Sequence, residues 1–442
     1  MADVAVIGAG WAGCAAAVEA SARGHRVTLF ERARTLGGRA RAVELQGMLL
    51  DNGQHILLGA YTASLRLMQA VGMKASDAFL RLPLQMRYPK NAGGMDFIAP
   101  RLPAPLHLLA ALLRAKGLAR ADKLALARFS STARWMDWQL HQDCTVTELL
   151  ERFDQTERLT QLMWRPLCIA ALNTVPERAS AQVFLNVLRD SLGARRAASD
   201  MLIPKVDLTA LFPQHAAAYV ERAGGSIAAG CTVLAIQAGS DPAHRAWTLH
   251  TNGDGAAALQ HFDAVIVATD PGRAAELLAA IPGAPALPGF EHEPITTCYL
   301  QYDAHIRLAQ PFLALIDDAA RGHWGQFVFD RGQLAADQSG LLAVVVSTSA
   351  TAIESGQEAL IAAVTHQLAQ ALQQPELLAP RWSKLISEKR ATFSCTPALA
   401  RPAAATGLGN LFLAGDYVAS DYPATLESAV RSGVEAARLV AA

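Results

Sequence analysis

Apolar residues come along this chain in unbroken runs and in alternating ones, and the two patterns predict different elements. Val4-Ala5-Val6-Ile7 is unbroken and leads through Gly8-Ala9-Gly10-Trp11-Ala12-Gly13 into a helical pattern over residues 14–23, stopped at Gly24. Arg26-Val27-Thr28-Leu29-Phe30 follows as a second strand and ends in Glu31. Unbroken runs belong to strands covered on both faces, as in parallel sheets. Ala264-Val265-Ile266-Val267, continuing to Ala268-Thr269-Asp270, reads as such a parallel strand, and Asn410-Leu411-Phe412-Leu413-Ala414-Gly415-Asp416 as a strand ending in Gly-Asp. Helical patterns are expected at residues 61–75, 106–113, 214–223 and 359–372, and a longer one at 149–191 that Pro166 and Pro176 should break. Short strands are expected at Ser226-Ile227, Thr232-Val233-Leu234-Ala235-Ile236 and Trp247-Thr248-Leu249. Three more strand candidates lie at residues 296–302, 325–329 and 341–347, and alternation in the first two predicts an antiparallel sheet with one open face, suited to walling a cavity.

The first strand, glycine turn and helix have the spacing of a dinucleotide fold. Gly8 suits the tight turn, Gly10 lets backbone approach a pyrophosphate, and Gly13 lets helix and strand pack closely. The helix N-terminus offers free N–H groups and a positive dipole end to that pyrophosphate. Glu31 lies roughly twenty residues further on, where a carboxylate accepts ribose hydroxyls and disfavours a 2′-phosphate. The ligand class is therefore an adenosine dinucleotide of the FAD or NAD type.

Composition narrows the setting. At 442 residues with 52% hydrophobic residues the chain has room for two or three packed regions around a sizeable core. Its formal charge is zero, which gives no reason to expect nucleic acid as a partner. The six cysteines are scattered without CxxC or Cys/His zinc spacing, and read as reduced, mostly buried thiols of a cytoplasmic protein. With Val4 already in a strand, no secretory signal is expected, and no apolar run approaches the roughly twenty residues of a membrane span.

Charge is uneven in one place. Arg101, Arg114, Lys116, Arg120, Lys123, Arg128 and Arg134 face a single acid, Asp122, around a leucine-rich helix. Two readings stand: a peripheral contact with the inner face of the cytoplasmic membrane, or a core helix with a solvated basic side. In the same region Trp164, Leu167, Ile169 and Leu172 are candidates for an apolar pocket or for ordinary core.

Leu36-Gly37-Gly38-Arg39-Ala40-Arg41, directly after the ribose-binding strand, resembles the second motif of the FAD-dependent amine oxidase and phytoene desaturase superfamily. Asp51-Asn52-Gly53-Gln54-His55, Ala268-Thr269 and Gly415-Asp416 through Ser428 resemble its later motifs; Asp-Asn-Gly by itself favours a simple hairpin turn. Within the superfamily, DNGQHILLGAY and LFLAGDYVASDYPATLESAVRSG are most similar to the squalene-associated FAD-dependent desaturases, the hydroxysqualene dehydroxylase family of bacterial hopanoid synthesis.

That resemblance implies an α/β protein whose discontinuous, Rossmann-like FAD-binding domain of the GR2 type carries an inserted α+β substrate or cap domain. The FAD-binding parts are expected at residues 1–75, 201–272 and 386–442, a helical cap at 76–200, and a substrate domain with an antiparallel sheet at 273–385. FAD would be held by Gly8, Gly10, Trp11, Ala12, Gly13, Glu31, Arg32, Gly37, Gly38, Arg39, Asn52, Gly53, Gln54, Val233, Ala268, Thr269, Gly415, Asp416, Pro423, Ala424, Thr425 and Leu426. Pro423 is expected at the start of the last helix, where its missing N–H costs nothing and the helix amides face the flavin pyrimidine.

The implied reaction is reduction of hydroxysqualene, a long isoprenoid, to squalene. His55, or Asp51 near it, is the candidate proton donor to the departing hydroxyl, against the alternative of a structural histidine; Asp143 and Tyr422 are further candidates. Cys395 lacks the surroundings of a covalent flavin attachment, and no second nucleotide site is legible, so the electron donor is left open. The motifs do not separate this reduction from the opposite direction, a carotenoid or phytoene desaturase. An amine oxidase, with Tyr417 and Tyr422 as aromatics, or a non-catalytic binding protein of the same fold are the remaining alternatives.

Overall fold

The apolar runs Val4-Ala5-Val6-Ile7 and Ala264-Val265-Ile266-Val267 become inner strands of a five-stranded parallel sheet, and Leu411-Phe412-Leu413 becomes its edge. Its order is Ser226–Ala229, Arg26–Glu31, Asp3–Ile7, Ala264–Val267 and Leu411–Leu413, so that segments far apart in the chain lie side by side. Every residue of Asp3–Ile7 and Ala264–Val267 is buried, as expected for strands covered on both faces. The computed structural model describes residues 1–90, 92–239, 246–253 and 256–441.

Helix Trp11–Ala22 lies against this sheet, between Pro213–Arg222 and the last helix, Leu426–Leu439. Its alanines explain the arrangement: small side chains let neighbouring helix backbones approach, and nearly the whole helix is buried. At Gly433 of the last helix an added Cβ would lie 2.1 Å from Ala12 O.

A second five-stranded sheet runs in the order Phe312–Ala314, Phe327–Asp330, Leu341–Ser347, His292–Gln301 and Trp382–Phe393, all antiparallel. Helix Gln357–Leu372 covers one face, and Phe327, Phe329 and Val345 on the other face a large cavity. The alternation in two of these strands anticipated one open face; Leu341–Ser347 is buried throughout because cover comes from both sides. Trp382–Phe393 crosses the expected boundary between residues 385 and 386. Its central Glu388-Lys389-Arg390 hides the strand pattern, and pairing with His292–Gln301 decides it.

Between the sheets stands a helical cap. Leu57–Leu58 and Phe79–Leu82 pair with Met201–Pro204, so the chain enters and leaves the cap at one place. The cap holds helices Leu106–Arg114, Arg120–Trp135, Val146–Arg152, Arg165–Leu172 and Ala181–Leu188. Pro176 falls in a break, as expected, but Pro166 does not break its helix. A π-helical turn, Thr160–Trp164, precedes it and runs straight on, so the missing N–H falls where the hydrogen-bonding pattern already changes.

Asp51-Asn52-Gly53 is not the hairpin turn its composition favours. The hairpin of Ala42–Leu45 with Met48–Asp51 turns at Gln46 and Gly47, both at positive φ, and Asp51 ends the returning strand.

Candidate active site

Two glycine motifs pack on each other to form the cradle. Gly8 has φ +101°, and a Cβ there would lie 2.7 Å from Ala268 O; one on Gly13 would lie 1.8 Å from Gly8 O. Gly37 N–H donates to Ala9 O at 2.8 Å and brings Gly38 against Gly10. A Cβ on Gly10 would meet only Gly38 Cα, at 3.9 Å, so the free side of this residue opens into the cavity. A side chain at residue 10 would fill the space a pyrophosphate needs, which is the fit expected of a dinucleotide site.

Glu31 lines the same cavity, and its two oxygens accept Ala9 N–H and Ala33 N–H, each at 2.8 Å. The carboxylate thus tightens the glycine turn from the side of the cavity. Trp11 Nε1–H donates to Ala40 O at 3.1 Å, tying the turn to the second motif. Arg32, Ala12, Val233, Ala268 and Thr269 line the cavity, and Val233 O already accepts from Arg273 Nη2 at 2.8 Å.

The two ends of the chain meet through Arg39, whose Nη2 donates to both Asp416 oxygens at 2.7 Å while Nη1 donates to Ala391 O at 2.7 Å. Asn52 Nδ2 donates to Arg39 O at 3.0 Å. Pro423 lines the cavity but does not start the last helix. That helix begins at Leu426, where Thr425 is the N-cap: its hydroxyl accepts Ser428 N–H at 3.2 Å and Ser428 Oγ accepts Thr425 N–H at 3.0 Å. A reciprocal cap satisfies two amides that an N-terminal proline would not. Pro423, Ala424, Thr425 and Leu426 still face the cavity, with Gly415 and Asp416 beside them.

The Asp51 to His55 segment divides. Asn52, Gly53, Gln54 and His55 line the cavity, with Gly53 at φ +107°. Asp51 does not. Its carboxylate is buried and accepts Leu208 N–H at 2.8 Å, so it serves the junction beneath the site. Burial pushes its pKa up to about 7, against the lowering effect of Arg331. His55 Nδ1 lies 2.8 Å from Gly53 O, which makes Nδ1 the donor and leaves Nε2 free. Burial lowers the His55 pKa, with the Gly53 bond opposing it, so the neutral ring is favoured.

The same cavity, about 1400 Å³, extends into the cap, where Phe129, Trp164, Leu167, Ile169 and Phe184 line it. Leu172 is buried outside it. Tyr422 lines the cavity and donates to Asp190, while Arg431 sits 4.8 Å over the Tyr422 ring. Burial, then the bond to Asp190, pushes the Tyr422 pKa up to about 12. Asp190 lies on a second π-helical turn, Arg189–Gly193, so this contact joins the cap to the segment before the last helix. Tyr417 is packed against Phe290 and does not line the cavity. Asp143 holds Ser180 O–H at 2.6 Å and Gln182 N–H at 2.9 Å, a structural role. Cys395 is a buried thiol pushed up to about 12 by burial.

Three residues escaped the sequence reading. Glu427 is buried and accepts Ala63 N–H, Ser64 N–H and Ser64 O–H at 2.7–3.0 Å, capping helix Thr62–Ala70 from the last helix. Arg401 donates to Asp416 O, Tyr417 O and Tyr422 O and so shapes the loop beside the cradle. Gly433 closes the helix contact described above. The one signal available was a glutamate just after the expected start of the last helix.

The family model for flavin-containing amine oxidoreductases matches residues 11–441. A hydroxysqualene dehydroxylase of Rhodopseudomonas palustris is 29% identical over 99% of this chain and 98% of its own length. A 15-cis-phytoene desaturase of Synechococcus elongatus is 24% identical over 99% and 96%. Among solved structures, an oxidoreductase from Methanosarcina mazei has a TM-score of 0.73 at 15% identity, covering 99% of both chains, and attests the fold alone. With a family model matched over residues 11–441, this chain belongs to the flavin-containing amine oxidoreductase family and is a FAD-dependent oxidoreductase.

Proposed function

We propose that this chain reduces hydroxysqualene to squalene by loss of the allylic hydroxyl, in squalene and hopanoid formation. The observation that carries the reading is the single cavity running from the dinucleotide cradle into an apolar chamber. A drug-sized ligand occupies about 300–1,000 Å³. A volume of about 1400 Å³ leaves room for a dinucleotide and a long hydrocarbon together. The relative from Rhodopseudomonas palustris, alike over the full length, supports the choice of substrate.

When bound and reduced, FAD supplies hydride to carbon. The chain's own task is the oxygen: the allylic C–O bond breaks with its electron pair on oxygen, which must take up a proton to leave as water. His55 lines this cavity, with Nδ1–H held by Gly53 O and Nε2 available to carry that proton. A depressed pKa makes its protonated form a strong donor but a scarce one, so turnover should rise as pH falls. The aromatic walls at Phe129, Trp164 and Phe184 exclude water from the cationic carbon.

Anaerobic mixing of reduced enzyme with hydroxysqualene tests this, with flavin absorbance followed and product extracted. Reoxidation with squalene formed is the expected outcome; no reoxidation and no squalene refutes the assignment. Likeness to a 15-cis-phytoene desaturase favours one second reading, oxidation of a polyene precursor. Bleaching of the oxidised enzyme by phytoene would select it.

A further inference from the structure

The cavity has a second mouth, in the cap. Pro105, Leu109, Ser131 and Arg134 line the cavity and are at the same time exposed. Helix Leu106–Arg114 turns Leu108 and Leu112 to the cavity, while Leu106, Leu109 and Leu113 are 52%, 52% and 68% exposed. Their spacing of three and four residues puts them in one outward stripe. On the next helix, Arg120–Trp135, Leu124 and Trp135 are 66% and 87% exposed. They lie about three helical turns apart and so share a side. Lys123 Nζ donates to Leu113 O at 2.9 Å, which brings the start of this helix beside the end of the leucine stripe.

Between Arg101 and Arg134 the exposed charge has one sign. Arg101, Arg114, Lys116, Arg120, Arg128 and Arg134 are exposed and Lys123 is half-buried; none has an acidic partner among the described residues. The one acid in the stretch is withdrawn: Asp122 is buried and accepts Ala119 N–H and Thr156 O–H, each at 2.7 Å. Exposed large apolar side chains grouped together mark an interaction surface. No helix among the described residues is long and apolar enough to cross a membrane, so any lipid contact lies in the plane of the interface.

We propose that this face seats on an anionic lipid bilayer, with the cap mouth open to the hydrocarbon. Lysine and arginine bind the headgroups, Trp135 and the leucines enter the boundary beneath them, and a long apolar substrate passes from membrane to cavity without crossing water. A bilayer fits better than a protein partner because the exposed charges from Arg101 to Arg134 are all cationic and the cavity that opens among them is apolar within the cap. Only the nature of the passing molecule rests on the function proposed above; the docking itself stands or falls separately.

Co-sedimentation of the holoenzyme with vesicles of phosphatidylcholine, with and without phosphatidylglycerol, tests it. Binding is expected to the anionic vesicles and to weaken at least tenfold in high salt or without phosphatidylglycerol. Arg114→Glu, Lys116→Glu and Arg120→Glu together should cost about fivefold or more per side chain. Leu113→Ser, Leu124→Ser and Trp135→Ser together should abolish binding while flavin content and melting temperature stay at wild-type values. Because no turnover is measured, a wrong substrate assignment leaves this result untouched. Absence of vesicle binding by the wild type overturns the proposal, as does equal binding by all variants. A wild-type dimer that the Leu/Trp variant converts to monomers, with no vesicle binding, also overturns it and assigns the face to a second copy.

Discussion

Gly433→Ala isolates the contact that joins the two ends of the chain. A Cβ at this position would lie 2.1 Å from Ala12 O and 3.0 Å from Ala16 N, both backbone atoms that no side-chain rotation can move. An ordinary C···O contact is about 3.3–3.6 Å, so the last helix must shift outward by roughly 1 Å. Overpacking of this kind costs about 1–3 kcal/mol. The better helix propensity of alanine returns about 1 kcal/mol. With so short an approach we expect a net loss of about 1–2 kcal/mol in the apoprotein. The cradle should suffer further, because Ala12 and Leu426 lie on the two displaced helices and both line the cavity. A mismatch of about 1.4 kcal/mol is tenfold in affinity, and FAD should bind at least that much more weakly. Urea unfolding of the apoprotein measures the packing loss, and FAD titration by flavin fluorescence measures the cradle loss. Gly24→Ala is the control: it strains an exposed position at φ +85° with no atom within 4 Å of the new Cβ, and should leave FAD affinity unchanged. Wild-type FAD affinity in Gly433→Ala would refute the reasoning.

Other residues yield separate expectations. His55→Ala should keep its flavin and lose about 10²-fold or more in turnover, as removal of a general acid does; near-normal turnover takes His55 out of the mechanism. In the wild type, kcat should climb as pH falls toward the depressed His55 pKa, below 6.5, and His55→Ala should lose that limb. Asp51 has a folded pKa raised to about 7, so the native state holds a proton that the unfolded chain has released from about pH 4 upward. Relative to Asp51→Asn, the wild type should therefore lose about 2–3 kcal/mol of stability between pH 5 and 8, read by urea unfolding across that range; a flat difference contradicts it. Asp416→Asn removes the charge that Arg39 grips in two places and should weaken FAD retention on gel filtration about tenfold, with Arg39→Lys milder because lysine keeps the charge although it cannot reproduce every guanidinium contact.

Much of the nucleotide half was legible in the chain itself, because its constraints are local. Gly8 has a positive φ and Gly13 packs on Gly8 O, so glycine is demanded at fixed spacing in one turn, and Glu31 follows at a set distance on the next strand. Unbroken apolar runs marked the buried parallel strands for the same reason, since burial on both faces leaves no place for a polar residue. What the sequence could not decide was which distant groups share a surface. Asp51 and His55 are four positions apart in one motif, yet the strand end turns Asp51 down to Leu208 and leaves His55 at the cavity. Proline chemistry pointed to Pro423 as a helix start, whereas the Thr425 and Ser428 cap placed the start at Leu426. Glu388-Lys389-Arg390 hid a strand whose hydrogen bonds come from a partner far away in the chain. The basic, leucine-rich stretch of the cap read equally as core or surface until packing showed Leu106, Leu109 and Leu113 turned outward, Leu112 buried and Asp122 withdrawn. Local backbone geometry writes itself into residue type at fixed spacing, whereas burial and partnership depend on segments that only the folded chain brings together.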